Sequence, residues 1–119
     1  MLQVLVPTDF SNNSYNALYY VAKLFKTKEC TFHLINVCGV LGNVDIETAQ
    51  VESIQGLDAI AHRLVLDVGK NSKHHIKKVS LCHSVTKGIS EYAKDFPIDL
   101  MVIGNKAKEE GTNILFGNN

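Results

Sequence analysis

The chain has 119 residues, of which 45% are hydrophobic and 20% charged, with 12 basic and 12 acidic side chains. This composition is typical of one globular domain, and the formal net charge of zero argues against a large basic surface for nucleic acid. The longest apolar runs are far shorter than the roughly 20 residues of a membrane-spanning helix, so no membrane partner is expected.

The first half of the chain predicts two buried strands and two amphipathic helices. Leu2 to Val6 is an apolar run closed by Pro7, which is typical of a strand buried on both faces. A helical stripe of apolar residues follows a polar turn, and Ser11 is well placed as the N-cap of that helix. Thr31 to Val37 predicts a second strand, and the apolar residues from Ile54 to Val68 predict a second helix.

The second half repeats this alternation of strand and helix. Ile76 to Cys82 predicts a third strand, and Ile89 to Phe96 predicts a third helix that ends before Pro97. Leu100 to Ile103 is the clearest buried strand of the chain. Strands joined by helical crossovers are parallel, and right-handed crossovers place helices on both faces of the sheet. The predicted fold class is therefore α/β, with an open, doubly wound, Rossmann-like parallel sheet.

The three cysteines and the amino-terminal residues both favour a cytoplasmic protein. The cysteines have no paired spacing, which predicts free thiols and a reducing compartment. The first residues run into an apolar segment that stops at Pro7, without the basic leader or the cleavage site of a secretion signal. We therefore expect a cytoplasmic chain without disulfides.

Ligands of such sheets bind outside the carboxyl ends of the strands, where the strand order reverses. Thr8 and Asp9 follow the first strand, and Gly104 and Lys106 follow the fourth. Glycine lets backbone approach a phosphate, and lysine supplies positive charge. Two structural alternatives stay open: Asp9 as a turn or capping carboxylate that stabilises free N–H groups, and the glycine-containing segment as an ordinary surface loop.

Motifs of enzymes and metal sites are missing at the positions where they would be needed. Neither a Walker-type P-loop nor Gly-x-Gly-x-x-Gly follows the first strand. His74 and His75 lie in a basic turn without a cysteine or carboxylate at ligand spacing, which favours a solvated turn. No base, nucleophile and oxyanion donor occur in compatible positions, so no catalytic residue is predicted.

Both ends of the chain resemble the universal stress protein family. Val4 to Ser11 and Asp99 to Gly104, followed by Gly117 and Asn118, carry the resemblance in order and spacing. It implies a parallel sheet of strand order 3-2-1-4-5 and a stress-response protein that commonly forms homodimers. Some members of this family bind ATP and others do not.

The ATP-binding members have a motif after the fourth strand: Gly, two residues, Gly, nine residues, and Gly followed by Ser or Thr. On this chain the motif falls on Gly104, Ala107, Gly117 and Asn118, so two of its four positions differ. Ala107 adds a Cβ where backbone would approach phosphate, whereas Asn118 can still donate a hydrogen bond.

The resemblance also places Asp9 near the ribose and phosphates of ATP with Mg²⁺, and the backbone of Val37 against the adenine. The complete set of candidate residues is Pro7, Thr8, Asp9, Val37, Ile103, Gly104, Lys106, Ala107, Gly117 and Asn118. Any enzyme activity would be slow ATP hydrolysis at most. The alternative is a nucleotide-free dimeric interaction module of the same fold.

Relative to the family pattern, the chain lacks about 25 residues, enough for one more helix and an edge strand. We therefore expect one truncated domain over residues 1–119, with four strands in the order 3-2-1-4 and without the fifth strand and last helix. The uncovered edge of the fourth strand would then favour dimerisation.

Overall fold

The computed structural model describes residues 1–38, 45–81, 85–105 and 111–116. In chain order its elements are β1 (Leu2–Pro7), α1 (Asn12–Leu24), β2 (Cys30–Val37), α2 (Ile46–Val68), β3 (His74–Leu81), α3 (Val85–Asp95), β4 (Leu100–Asn105) and β5 (Gly111–Phe116). Within these described ranges, no helix is long and apolar enough to cross a membrane.

The strands form one sheet in the order β3-β2-β1-β4-β5. The first four strands of that order are parallel, which confirms the predicted α/β fold and the order 3-2-1-4. Alternate residues of β1 face opposite layers: Val4 and Val6 pack in the core with α1 and α2, whereas Leu5 packs with Tyr92 of α3. Both faces of the central strands are therefore covered, which explains their continuous apolar runs.

Helices α1 and α2 each begin next to an N-capping residue. Ser11 is the N-cap of α1, as predicted, and its Oγ accepts a hydrogen bond from the backbone N–H of Ser14 at 3.2 Å. Helix α2 begins at Ile46, about two turns earlier than its apolar stripe indicated. Asp45 caps this end, and the buried face continues into the first two turns through Ala49 and Ser53, whereas Ile46 and Val51 are exposed.

The fifth position of the sheet is filled, which corrects the expectation that the fifth strand is missing and that the edge of β4 is open. β5 pairs antiparallel with β4, with Asn105 beside Gly111 and Leu100 beside Phe116. Without a neighbouring strand, the outer backbone N–H and C=O groups of β4 would have no protein partners. The apolar segment β5 supplies these partners by running antiparallel to β4. This strand needs no crossover helix because it runs antiparallel to β4.

The cysteines do not all behave as predicted. Cys30 is free and buried, but Cys38 is disulfide-bonded, so the expectation of free thiols throughout is wrong. Cys82, the third cysteine of the chain, lies outside the described residues. The backbone N–H of Cys38 donates to the carbonyl of Leu81 on β3, an adjacency that sequence spacing does not show. The disulfide removes the cysteine argument for a reducing compartment, so cytoplasmic location stays a prediction.

Candidate functional site

A cavity of about 240 Å³ opens at the carboxyl ends of β1, β2 and β4. It lies beside the point where the strand order reverses, between β1 and β4, which is the usual ligand position in doubly wound sheets. Its lining residues come from three strand ends, the first turn of α1 and one position of α3: Pro7, Thr8, Asp9, Ser11, Asn13, Ser14, Ile35, Asn36, Val37, Ile89, Ile103 and Gly104.

The turn between β1 and α1 forms the polar wall of this cavity. Thr8 is buried, and its Oγ1 lies 2.9 Å from the Oγ of Ser14 and accepts the N–H of Phe10 at 3.1 Å. Asp9 is exposed, and its Oδ1 accepts the N–H of Ser11 at 3.0 Å. Asp9 thus stabilises the turn by accepting a backbone N–H just before the helix, as its structural alternative predicted, while Ser11 is the N-cap itself.

Gly104 lets the end of β4 touch the first turn of α1. A Cβ at residue 104 would lie 2.3 Å from the carbonyl oxygen of Asn13 and 2.9 Å from the backbone N of Ser14. Real Cβ atoms do not approach backbone this closely, so the contact requires glycine. The sequence predicted a glycine for close approach to phosphate. In the structure, the close approach of Gly104 is to α1, and this contact brings the two candidate loops together.

A network of hydrogen bonds between buried polar side chains lies next to the cavity. Asn36 of β2 donates from Nδ2 to the carbonyl oxygen of Thr8 at 2.9 Å, and its Oδ1 accepts the hydroxyl of Ser53 of α2 at 2.6 Å. The hydroxyl of Ser80 on β3 donates to Ser53 at 2.7 Å. None of these three residues is among those predicted from the sequence. An asparagine inside an apolar strand is the signal that could have identified Asn36, because a buried amide needs partners.

A second buried polar group, His33, lies on the opposite face of the sheet, outside the cavity. Its Nδ1 lies 2.6 Å from the Tyr92 hydroxyl and its Nε2 lies 2.6 Å from Oε1 of Gln3. Burial, with a smaller contribution from the charge of Lys77, lowers the pKa of His33. Neutral His33 satisfies both contacts by donating to Gln3 and accepting from Tyr92. The group therefore connects β2, β1 and α3 and has a structural role.

The structure brings six of the predicted site residues together around the cavity. They are Pro7, Thr8, Asp9, Val37, Ile103 and Gly104. The other four, Lys106, Ala107, Gly117 and Asn118, lie outside the described residues. β5 runs away from the cavity, because Phe116 pairs with Leu100 at the amino end of β4.

The described part of the chain holds no cluster of three or more His, Cys, Asp or Glu side chains able to bind a metal ion. His74, which the sequence placed in a solvated turn, is partly buried, and its Nε2 lies 2.8 Å from the carbonyl oxygen of Phe25 at the end of α1. This contact caps a helix end and gives His74 a structural role.

Comparison with known proteins identifies the family. The sequence pattern of the universal stress protein family matches residues 1–119. The chain belongs to the universal stress protein family. The resemblance at the two ends of the sequence therefore reflects membership over the whole chain. No curated protein matches the chain significantly.

Solved structures of universal stress proteins share this fold. UspA from Lactobacillus plantarum has a TM-score of 0.65 at 20% identity, covering 91% of this chain and 81% of that one. The protein from Archaeoglobus fulgidus has a TM-score of 0.69 at 14% identity, covering 98% and 86%. A universal stress protein solved in complex with cAMP has a TM-score of 0.65 at 15% identity, covering 88% and 77%. At these identities, the structural likeness shows the fold alone.

Proposed function

We propose that this chain is a stress-response protein that binds an adenine nucleotide, ATP with Mg²⁺, in the cavity between the β1–α1 turn and the end of β4. The convergence of Asp9, Val37 and Gly104, from three separate strand ends, on one cavity carries the proposal. Family membership and a neighbour solved with cAMP, itself an adenine nucleotide, support the ligand class.

The two sides of the cavity suit the two ends of a nucleotide. Val37, Ile89 and Ile103 provide apolar surface for the adenine ring, and the backbone of Val37 can bind its edge. Asp9 can accept hydrogen bonds from ribose hydroxyls, and the first turn of α1, near Asn13, can donate backbone N–H groups to phosphate. Because the described residues hold no three-ligand cluster, phosphate oxygens and water molecules would supply most of the Mg²⁺ coordination.

The cavity supports binding better than catalysis. Among the described lining residues, Asp9 is the one titratable side chain, and its Oδ1 accepts the N–H of Ser11 within the turn. A general base must reach the proton that it removes, and no histidine or lysine of the described lining is present to do so. We therefore propose a nucleotide-binding role with slow hydrolysis at most.

Titration calorimetry with Mg·ATP tests the proposal on the wild type and on Asp9→Asn. The substitution keeps the size of the side chain and removes the charge that accepts hydrogen bonds from the ribose, so we expect affinity to fall about tenfold or more. Asp95→Asn, at an exposed position at the end of α3, is the matched control and should bind like the wild type. No heat at millimolar nucleotide from folded wild-type protein would refute the proposal.

The edge of the sheet supports a homodimer as a second, separate proposal. β5 is the last strand of the described sheet, with β4 on one side and no described strand on the other. Such an edge offers backbone N–H and C=O groups to another copy of the chain. Light scattering at tens of micromolar should give twice the chain mass, and a monomeric mass would refute the dimer. Nucleotide released from purified, denatured protein would exclude the nucleotide-free alternative.

A further inference from the structure

Phe10 has an unusual backbone conformation in the turn next to the cavity. Its φ is +66°, and it is the one non-glycine residue with positive φ in the described part of the chain. This left-handed region is rarely adopted by aromatic residues. Such a conformation persists where the surrounding contacts determine it, and it often occurs where function needs a fixed geometry.

The ring of Phe10 occupies a space on α2 that exists because residue 56 is glycine. A Cβ built at Gly56 would lie 2.5 Å from Cζ and 2.6 Å from Cε1 of the Phe10 ring. Glycine inside a helix weakens it relative to alanine, so Gly56 is unfavourable for α2 taken alone. The absence of a side chain at this position is explained by the aromatic ring that lies against it.

This contact anchors the turn on the side away from the cavity. Thr8, Asp9 and Ser11 line the cavity, whereas Phe10, between them in sequence, does not and instead contacts α2. The N–H of Phe10 also donates to Oγ1 of Thr8. The backbone conformation of Phe10 therefore determines how Asp9 and Ser11 are oriented toward the cavity.

We infer that Phe10 and Gly56 form a positioning pair: the ring lying over Gly56 holds the turn at Phe10 in its left-handed conformation and thereby keeps Asp9 directed to the cavity. The pair touches no ligand and acts through Asp9. This inference rests on the proposed nucleotide binding and adds a residue of α2 to the positions that determine affinity.

Two single variants and their combination test the pair. Gly56→Ala favours the helix but displaces the ring, and Phe10→Ala removes the ring. Each should lower Mg·ATP affinity about tenfold, and the double variant should bind no more weakly than either single, because all three lose the same contact. Gln55→Ala, at an exposed neighbouring position of α2, is the matched control and should bind like the wild type.

Amide hydrogen exchange supplies a measurement that does not depend on nucleotide. The amides of Ser11 and Ser14 should exchange faster in Gly56→Ala than in Gln55→Ala, although both variants keep wild-type circular dichroism. If the wild type binds Mg·ATP and both single variants bind it with the same affinity, the inference is overturned and the proposed function stands. No binding by the wild type would overturn the proposed function, and unchanged exchange in Gly56→Ala would then overturn the pair as well.

Discussion

Replacing Gly104 with alanine places a methyl group against the backbone of α1. The added Cβ would lie 2.3 Å from the carbonyl oxygen of Asn13, 2.6 Å from its carbonyl carbon and 2.9 Å from the N of Ser14. All three atoms belong to the backbone of the first helical turn, so no side-chain rotation relieves the contact. Either β4 or the start of α1 must move.

The cost follows from the size of this clash. Forcing an extra methyl group into a packed site typically costs about 1–3 kcal/mol, and because the obstacle is backbone we expect a cost of about 3 kcal/mol for this substitution. With an unfolding entropy of about 2.1 cal/mol/K per residue, a chain of 119 residues loses about 4 °C in Tm for each kcal/mol. The melting temperature should therefore fall by about 12 °C.

Thermal unfolding followed by circular dichroism measures this fall, with Gln55→Ala as the control. Gln55 is exposed within α2, so its substitution meets no clash, needs no unusual backbone conformation and should change Tm by no more than about 2 °C. Gly104→Ala must melt clearly below Gln55→Ala. Equal melting temperatures for the two variants would refute the claim that β4 and α1 meet in a contact that requires glycine.

Three further predictions concern buried polar groups and the disulfide. Because burial lowers the pKa of His33, the unfolded chain takes up the proton first as pH falls below about 6.5. Neutral His33 therefore stabilises the fold above that pH, and this stabilisation is lost as the pH falls through the pKa of His33 in the folded state. The decrease in Tm between pH 7 and pH 5 should be smaller in His33→Gln than in the wild type. Ser53→Ala leaves Oδ1 of buried Asn36 without its donor and should lower stability by about 1–3 kcal/mol in urea unfolding, whereas exposed Ser90→Ala should change it little. The denatured chain should take fewer alkylating groups before reduction than the three it takes after it, with Cys30 labelled in both cases; three before reduction would contradict the disulfide at Cys38.

The parallel part of the fold was predictable because its signals are local and strong. β1 and β2 are buried on both faces, so their apolar runs stand out, and the Ser11 cap marks the start of α1. The first two turns of α2 were missed because their buried residues, Ala49 and Ser53, are small or polar, while the large apolar Ile46 and Val51 are exposed. β5 depends on pairing with the edge of β4, which composition does not reveal.

The candidate site was predictable to the extent that strand ends define it. Asp9, Val37 and Gly104 follow from the rule that ligands bind at the carboxyl ends of parallel strands. Asn36 and Ser53 could not be paired in advance, because their hydrogen bond joins a strand to the helix face that packs over it. The disulfide at Cys38 was likewise missed, because the spacing of the cysteines along the chain gives no sign of it.

The contact between Gly104 and the start of α1 also dictates when the cavity can form during synthesis. Its two walls come from opposite ends of the chain, and the strands that carry them are tied by reciprocal hydrogen bonds between Gln3 and Asp99, 96 residues apart. Closing so long a loop is slow compared with pairing between neighbouring strands. A nascent chain that has exposed only β1 to β3 to the solvent thus has one wall of the cavity, and the cavity is completed late, when β4 leaves the ribosome and inserts beside β1.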